Sequence, residues 1–409
     1  RRIHAAYLVH GQFAGQLILY NARRIHRARR MSLKPLRLKK HEDRRLHAGH
    51  SWVFSNEVDT KTTPLDQFEP GEPCVIEEAN GKALGTGYVN PHTLICARLV
   101  SRDPDIVLGQ SLLVHRFNIA LSLRERLFDR PYYRLVFGDS DNLPGLVVDR
   151  FGEALVVQIA TAGMERVKAE VVAALEKVLK PRAVLFKNDG TARALENLPS
   201  YVETARGELP DWVALEENGL GFEAPLVRGQ KTGWFYDHRM NRARLAPYVQ
   251  GKRVLDVFSY LGAWGVQAAA SGAESVVCVD SSALALEGVT RNAARNGVAA
   301  KVTTRAADAF EALKELREAR EKFDVVILDP PALIKRRKDV KEGAQAYRRL
   351  NQMAMQVLAK DGILVSCSCS YHLERDVLLD LLLKTGRHVD RFLQIVEEGH
   401  QGPDHPLHP

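Results

Sequence analysis

Apolar and polar positions change rhythm twice along the chain. From Met31 to about Asp103 the apolar runs are short and broken by turns. Leu36-Arg37-Leu38-Lys39-Lys40 alternates, and Gly49-His50-Ser51-Trp52-Val53-Phe54 follows. Pro70-Gly71-Glu72-Pro73 then opens Cys74-Val75-Ile76-Glu77, and Asn80-Gly81 sits at a hairpin position before Leu84–Val89. Four or five such strands predict a small β-barrel over residues 31–103. Over 104–210 the rhythm becomes helical at 111–130. Strands are then predicted at Tyr132–Val136, Leu146–Val148 and Ala154–Ile159, a helix near Met164–Leu179, and a strand at Ala183–Lys187. This is an α+β segment without an evident chemical constellation, so positioning is its expected role. From about Asp211 to residue 409, strand and helix alternate. Strands are predicted at Arg253–Phe258, Ser275–Asp280, Lys301–Arg305, Phe323–Leu328 and Gly362–Ser366, with a helix at Ala283–Asn296 stopped by Gly297. That alternation is the mark of a parallel, doubly wound α/β sheet with its ligands at the strand tips.

Charge adds less than its total suggests. The 409 residues carry a net +8. Residues 1–30 hold seven arginines and no acid, so the remainder nets 8 − 7 = +1. Bulk charge is therefore weak evidence for a nucleic-acid partner, and a local basic patch is the better expectation. The first 30 residues read as an appended basic extension, non-native or disordered, ahead of a natural start at Met31. An organellar presequence is the other reading. Five unpaired cysteines fit a reducing, cytoplasmic setting, and no apolar run is long enough to span a bilayer.

Candidate chemistry lies at the strand tips. Val254-Leu255-Asp256-Val257-Phe258-Ser259-Tyr260-Leu261-Gly262 is a strand running into a glycine-bearing turn and a helix. A pyrophosphate cofactor would want G-x-G-x-x-G and no acid. Asp256 instead suits the cationic amino-acid end of S-adenosylmethionine, with Phe258, Ser259 and Gly262 as further candidate contacts. Asp280 ends the second strand, where it can accept ribose hydroxyls. Asp308 follows the third and is placed for an adenine amino group. Any one of these aspartates could be only a cap; with Asp329 on the fourth strand, the series points to a site.

Asp329-Pro330-Pro331 forms a stiff turn that can face a planar base. Amino-nitrogen methylation usually adds an aromatic residue there, but Ala332-Leu333 follows. Methylation of pyrimidine carbon 5 needs a thiolate first, added to carbon 6. Val365-Ser366-Cys367-Ser368-Cys369-Ser370 supplies thiols at the end of the fifth strand. Both cysteines could be small core fillers. Beside four acidic tips, Cys369 is expected as nucleophile, Asp329 as the group at N3, and Cys367 as the internal control. His372 reads as a proton relay or, more simply, a helix-capping or surface residue.

Together these residues resemble the bacterial 23S ribosomal RNA cytosine-C5 methyltransferases of the large subunit. The resemblance runs from about Leu36 to the end. It rests on Gly49–Asn56, Leu143–Arg150, Gly229-Gln230-Lys231-Thr232-Gly233-Trp234-Phe235-Tyr236-Asp237-His238-Arg239, Asp329-Pro330-Pro331 and Ser368-Cys369-Ser370. It implies a PUA barrel, a central EEHEE domain and a Rossmann-like class I methyltransferase domain. The Gln230–Arg239 loop would cover the cofactor, with Lys231, Thr232 and Arg239 as contacts, and a single catalytic cysteine would match Cys369. The implied partner is 23S ribosomal RNA, naked or in an assembling subunit, with a homodimer as the candidate assembly and no membrane. Two departures stand out. Leu261-Gly262-Ala263 replaces the family's Thr-Gly-Gly, and the stop at His408-Pro409 leaves the sheet edge about one strand short, as in a truncated chain. Rival readings are amino-nitrogen methylation of a purine, or a non-catalytic RNA-binding protein with a vestigial cofactor fold.

Overall fold

The computed structural model describes residues 33–408. The expected extension over 1–30 lies outside them.

The first unit is a five-stranded sheet of order β1-β3-β4-β5-β2, formed by β1 (Lys34–Arg37), β2 (Trp52–Val53), β3 (Glu72–Glu77), β4 (Ala83–Val89) and β5 (Ala97–Ser101). Its core gathers Leu36, Leu38, Val53, Val58, Cys74, Ile76, Val89 and Cys96. The alternating positions read from the sequence are the ones that turn inward.

The middle unit opens with a helix, Gln110–Leu127. Its sheet is ordered β10-β9-β8-β7-β6, from β6 (Tyr132–Phe137), β7 (Leu146–Phe151), β8 (Ala154–Ile159), β9 (Ala183–Asn188) and β10 (Tyr201–Arg206). The single helix expected at Met164–Leu179 is two, Ala162–Arg166 and Lys168–Leu179, because Val167 leaves helical geometry. Three strands precede this helix pair and two follow, so the unit exceeds an EEHEE count by one strand.

The last unit begins with an antiparallel hairpin that the strand–helix reading passed over, β11 (Val213–Glu217) and β12 (Leu220–Ala224). The parallel sheet follows, ordered β15-β14-β13-β16-β17, from β13 (Arg253–Val257), β14 (Ser275–Asp280), β15 (Val302–Ala306), β16 (Phe323–Leu328) and β17 (Leu358–Ser366). Near-continuous apolar runs make β13, β14 and β16 buried on both faces, as a helix-covered parallel sheet requires. The order reverses between β13 and β16, and a ligand crevice belongs at that switch point.

Polar contacts tie the units together at several joints, of which two bear on the argument. Asp139 accepts from Ser51 Oγ at 3.0 Å and from Trp52 Nε1 at 2.8 Å, joining the first unit to the second. Trp52, 39% exposed, thus has its indole N–H engaged by the neighbouring unit. At the other joint the segment near Asp404 returns to the middle unit. Asp404 Oδ2 accepts the Arg134 N–H at 2.9 Å, and its carbonyl accepts from Arg124 at 3.0 Å. His405 is buried with its ring against Phe137.

Candidate active site at the strand tips

The turn after β13 is shaped by backbone that side-chain-bearing residues seldom adopt. Phe258 and Tyr260 both have positive φ (65° and 48°), a conformation that costs each about 1 kcal/mol or more. Two hydrogen bonds hold it: Ser259 N–H to the Val279 carbonyl at 3.0 Å, and Tyr260 N–H to Asp280 Oδ2 at 2.9 Å. Gly262 then starts helix Ala263–Ala270 at φ 79°. One turn on, Gly265 has no room for a Cβ, which would stand 2.5 Å from Cys278 Sγ and 3.0 Å from Asp256 Oδ2. This close approach lets Gly265 N–H reach Asp256 Oδ2 at 2.9 Å.

Asp256 is fully buried, and its second oxygen has no partner; neither does the buried Ser259 hydroxyl. Burial pushes the Asp256 carboxyl up to about 7, against the pull of the Gly265 hydrogen bond. A buried acid with an open oxygen is a receptor for a cationic group. Asp280 stands at the next tip, with Oδ1 accepting from Ser282 N–H at 2.8 Å. Asp308 is exposed and caps its helix, taking Phe310 N–H at 2.8 Å on Oδ1 and leaving Oδ2 free of those caps.

β16 and β17 carry the second half of the site. Asp329 Oδ2 accepts the Trp264 indole N–H at 3.1 Å, and Oδ1 lies 3.5 Å from His238 Nε2. β17 ends at Ser366, so Cys367 and Cys369 lie beyond the strand, and strand alternation does not relate them. Cys367 continues the ladder through its N–H to Leu328 O at 2.8 Å and packs against the sheet core. Cys369 is exposed, its Sγ 3.6 Å from the Pro330 carbonyl. Partial burial raises its thiol above the ordinary range, the charge of Lys231 opposes this, and Asp329 and Asp237 reinforce it. The loop is rigid because buried Ser370 accepts Ile334 N–H at 3.1 Å and meets Tyr347 Oη at 2.9 Å. A cavity of about 840 Å³ is lined by His238, Trp264, Cys367, Cys369 and Tyr371 among others.

Comparison with known proteins bears on this geometry. Residues 196–407 match the family model described as S-adenosylmethionine-dependent methyltransferase, and residues 36–102 match a PUA-like domain. The chain belongs to this methyltransferase family. Among curated relatives, the ribosomal RNA large subunit methyltransferase I of Shewanella denitrificans is 34% identical over 377 residues, covering 91% of this chain and 94% of its own. Its counterpart from Aliivibrio fischeri is 34% identical over 376 residues, 90% and 94% of the two chains. A putative S-adenosylmethionine-dependent methyltransferase from Streptococcus mutans shares the fold at TM-score 0.76 and 20% identity, over 92% of this chain and 96% of that one. A putative methyltransferase solved in complex with SAH aligns equally well, at TM-score 0.76 and 20% identity, over 92% and 96% of the two chains. The expected cofactor class and the PUA-like domain are thereby met.

In the methyltransferase the predicted residues divide. Asp256, Phe258, Ser259, Gly262 and Asp280 share one turn and its neighbouring tip. Asp329 and Cys369 meet at the adjacent tips. The Arg239 guanidinium packs over Phe128 at 4.6 Å and Tyr236 at 5.0 Å and bonds the Tyr132 carbonyl, which draws it towards the middle unit. Thr232 is buried and donates to the Trp234 carbonyl at 3.4 Å. Lys231 is exposed with Nζ 4.7 Å over Phe235, and its charge acts on Cys369. Two residues escaped the sequence reading. His238 and Trp264 flank Asp329, but only the fold brings these loop and helix residues to a strand tip.

Proposed function

We propose that this methyltransferase modifies carbon 5 of a cytosine in large-subunit 23S ribosomal RNA through a covalent adduct on Cys369. The observation that carries the reading is an exposed thiol, Cys369, with its Sγ 3.6 Å from the Pro330 carbonyl and Asp329 next in the chain, at the tips of neighbouring strands. The choice of RNA follows the relatives' names and the PUA-like domain.

When bound, S-adenosylmethionine supplies an electrophilic methyl group. Asp256 Oδ1 and Ser259 Oγ would hold its amino-acid end, Phe258 and Gly262 would shape the turn beneath it, Asp280 would take the ribose hydroxyls, and the free oxygen of Asp308 would face adenine. Cys369, as thiolate, forms a bond to carbon 6. Asp329, at N3, donates the proton that neutralises the adduct, and carbon 5 becomes enamine-like and able to accept the methyl. Transfer of the carbon-5 proton to a base, water in the simplest case, then restores the 5,6 double bond and expels the thiolate, and N3 returns its proton to Asp329. The base must leave its stack to expose carbon 6. Amino-nitrogen transfer lacks support at its usual place, since Leu333 packs with Ile334 and Tyr347 instead of an aromatic facing the base.

Incubation with 5-fluorocytosine-substituted ribosomal RNA tests this. A denaturation-resistant adduct is expected, abolished in Cys369→Ala and kept in Cys367→Ala. Methyl transfer without any adduct would instead support nitrogen chemistry, and loss of the adduct in Cys367→Ala alone would reverse the assignment.

A further inference from the structure

Asp329 has two differently engaged oxygens. The Trp264 indole fixes one, and the other faces His238 Nε2 at 3.5 Å. His238 is itself held, its ring 5.7 Å from that of Trp264 and its Nδ1 3.1 Å from the Asn241 amide. Cys367 completes the group: ligand atoms of His238, Asp329 and Cys367 all lie within 4.8 Å of one another, and all three side chains are half-buried. Packing needs none of this convergence. A small apolar residue at 367 would fill the sheet core equally well.

We propose that His238 Nε2, the Asp329 carboxylate and Cys367 Sγ form a binding site for a borderline-soft divalent cation, zinc being the best match. The donors are one imidazole nitrogen, one thiolate sulfur and one carboxylate oxygen, a set that suits zinc and disfavours magnesium or calcium. Tetrahedral zinc with bonds of about 2.0–2.3 Å places its ligand atoms about 3.3–3.8 Å apart. The His238–Asp329 pair already stands at that separation, and the sulfur, within 4.8 Å of both, needs at most a rotamer adjustment to close on them. Three protein ligands leave the fourth position open to the cavity. To accept the Nδ1–H that a ligating imidazole carries, the Asn241 amide turns over and gives up the bond it now donates to the His400 carbonyl at 3.1 Å. On binding, the Cys367 thiol proton is released to solvent. Occupancy withdraws Asp329 from the base, so the cation is a reversible brake on methyl transfer. That consequence rests on the role proposed for Asp329; the binding itself does not.

The test uses the full chain, stripped of metal and titrated with zinc against a chromophoric chelator. One equivalent should bind, weakened at least about tenfold in Cys367→Ala and in His238→Ala and unchanged in Cys369→Ala. Calorimetric binding of S-adenosylhomocysteine shows that each variant retains its fold. Cobalt in place of zinc should give a thiolate charge-transfer absorption in the parent protein, a readout that survives if a variant does not fold. No stoichiometric binding overturns the proposal, as does a cobalt complex without sulfur absorption. So does binding that persists in both variants and vanishes in His47→Ala, which would place the ion at the surface group Asp43, His47 and Glu78. For the brake, the ratio of transfer rates with and without zinc should fall in the parent and stay near one in Cys367→Ala. Zinc bound at this site with an unchanged rate upholds the site and refutes the role of Asp329 instead.

Discussion

Replacing Asp256 by Asn should stabilise the cofactor-free protein at alkaline pH while weakening cofactor binding. Asn keeps an acceptor for Gly265 N–H and removes the charge. Folding raises the carboxyl from 3.8 to about 7, a difference of about 3 units. At 1.36 kcal/mol per unit this is about 4 kcal/mol against the folded state once the acid ionises. Between pH 4 and 7 the folded chain holds a proton that the unfolded chain has released. Unfolding free energy therefore falls with rising pH in that window. Denaturant midpoints followed by tryptophan fluorescence should agree for parent and Asp256→Asn near pH 4, then diverge to the full difference by pH 8. Calorimetry in buffers of different ionisation enthalpy supplies the second half. Binding of a cationic amino-acid end should release about half a proton from Asp256 at pH 7, over and above the release seen with Asp256→Asn. A pH-independent stability difference, or equal proton release in both proteins, would refute the placement of that charge.

The other expectations are more local. Lys231→Met removes the one cation favouring the Cys369 thiolate; the adduct should form more slowly at neutral pH, with the alkaline limb of its rate profile moved upward. Tyr371 is 93% exposed, two residues past the proposed nucleophile on an anchored loop. Tyr371→Ala should weaken RNA binding by the value of one base stack, about 1–3 kcal/mol, with Tyr371→Phe near the parent in a filter-binding assay. Arg242 and Glu217 form a buried pair at 2.6 Å; Arg242→Met strands a carboxylate and should cost about 3–5 kcal/mol in denaturant unfolding.

The sequence was most legible where both faces of a strand are buried. Ser275–Asp280 and Phe323–Leu328 were read to the residue, because their apolar runs and terminal acids coincide with the ladder. β10, by contrast, is an exposed edge whose polar text, Tyr201–Arg206, has no inward face to betray it. The β11–β12 hairpin carried a usable signal in Asn218-Gly219, both at positive φ, which the search for strand–helix alternation overlooked. The candidate residues on the strand tips were legible because their spacing is local. The contacts of Arg239 with Phe128 and Tyr132 were not legible, because those residues lie more than a hundred positions away.

The return of Asp404 to Arg134 closes a circuit of 270 residues without a covalent bond. Bringing the ends of so long a flexible loop together costs about 5 kcal/mol in chain entropy, more than a few hydrogen bonds supply. The clasp therefore has no strength while the intervening chain is loose, and snaps shut only on a finished methyltransferase domain. It closes last: the middle unit gains the carboxylate and the carbonyl of Asp404 only once the intervening chain has folded. Cutting ahead of Gly402 should remove the clasp and lower the denaturant midpoint, while the apolar core shared by Phe151, Leu185, Phe222 and Tyr236 keeps the two units together.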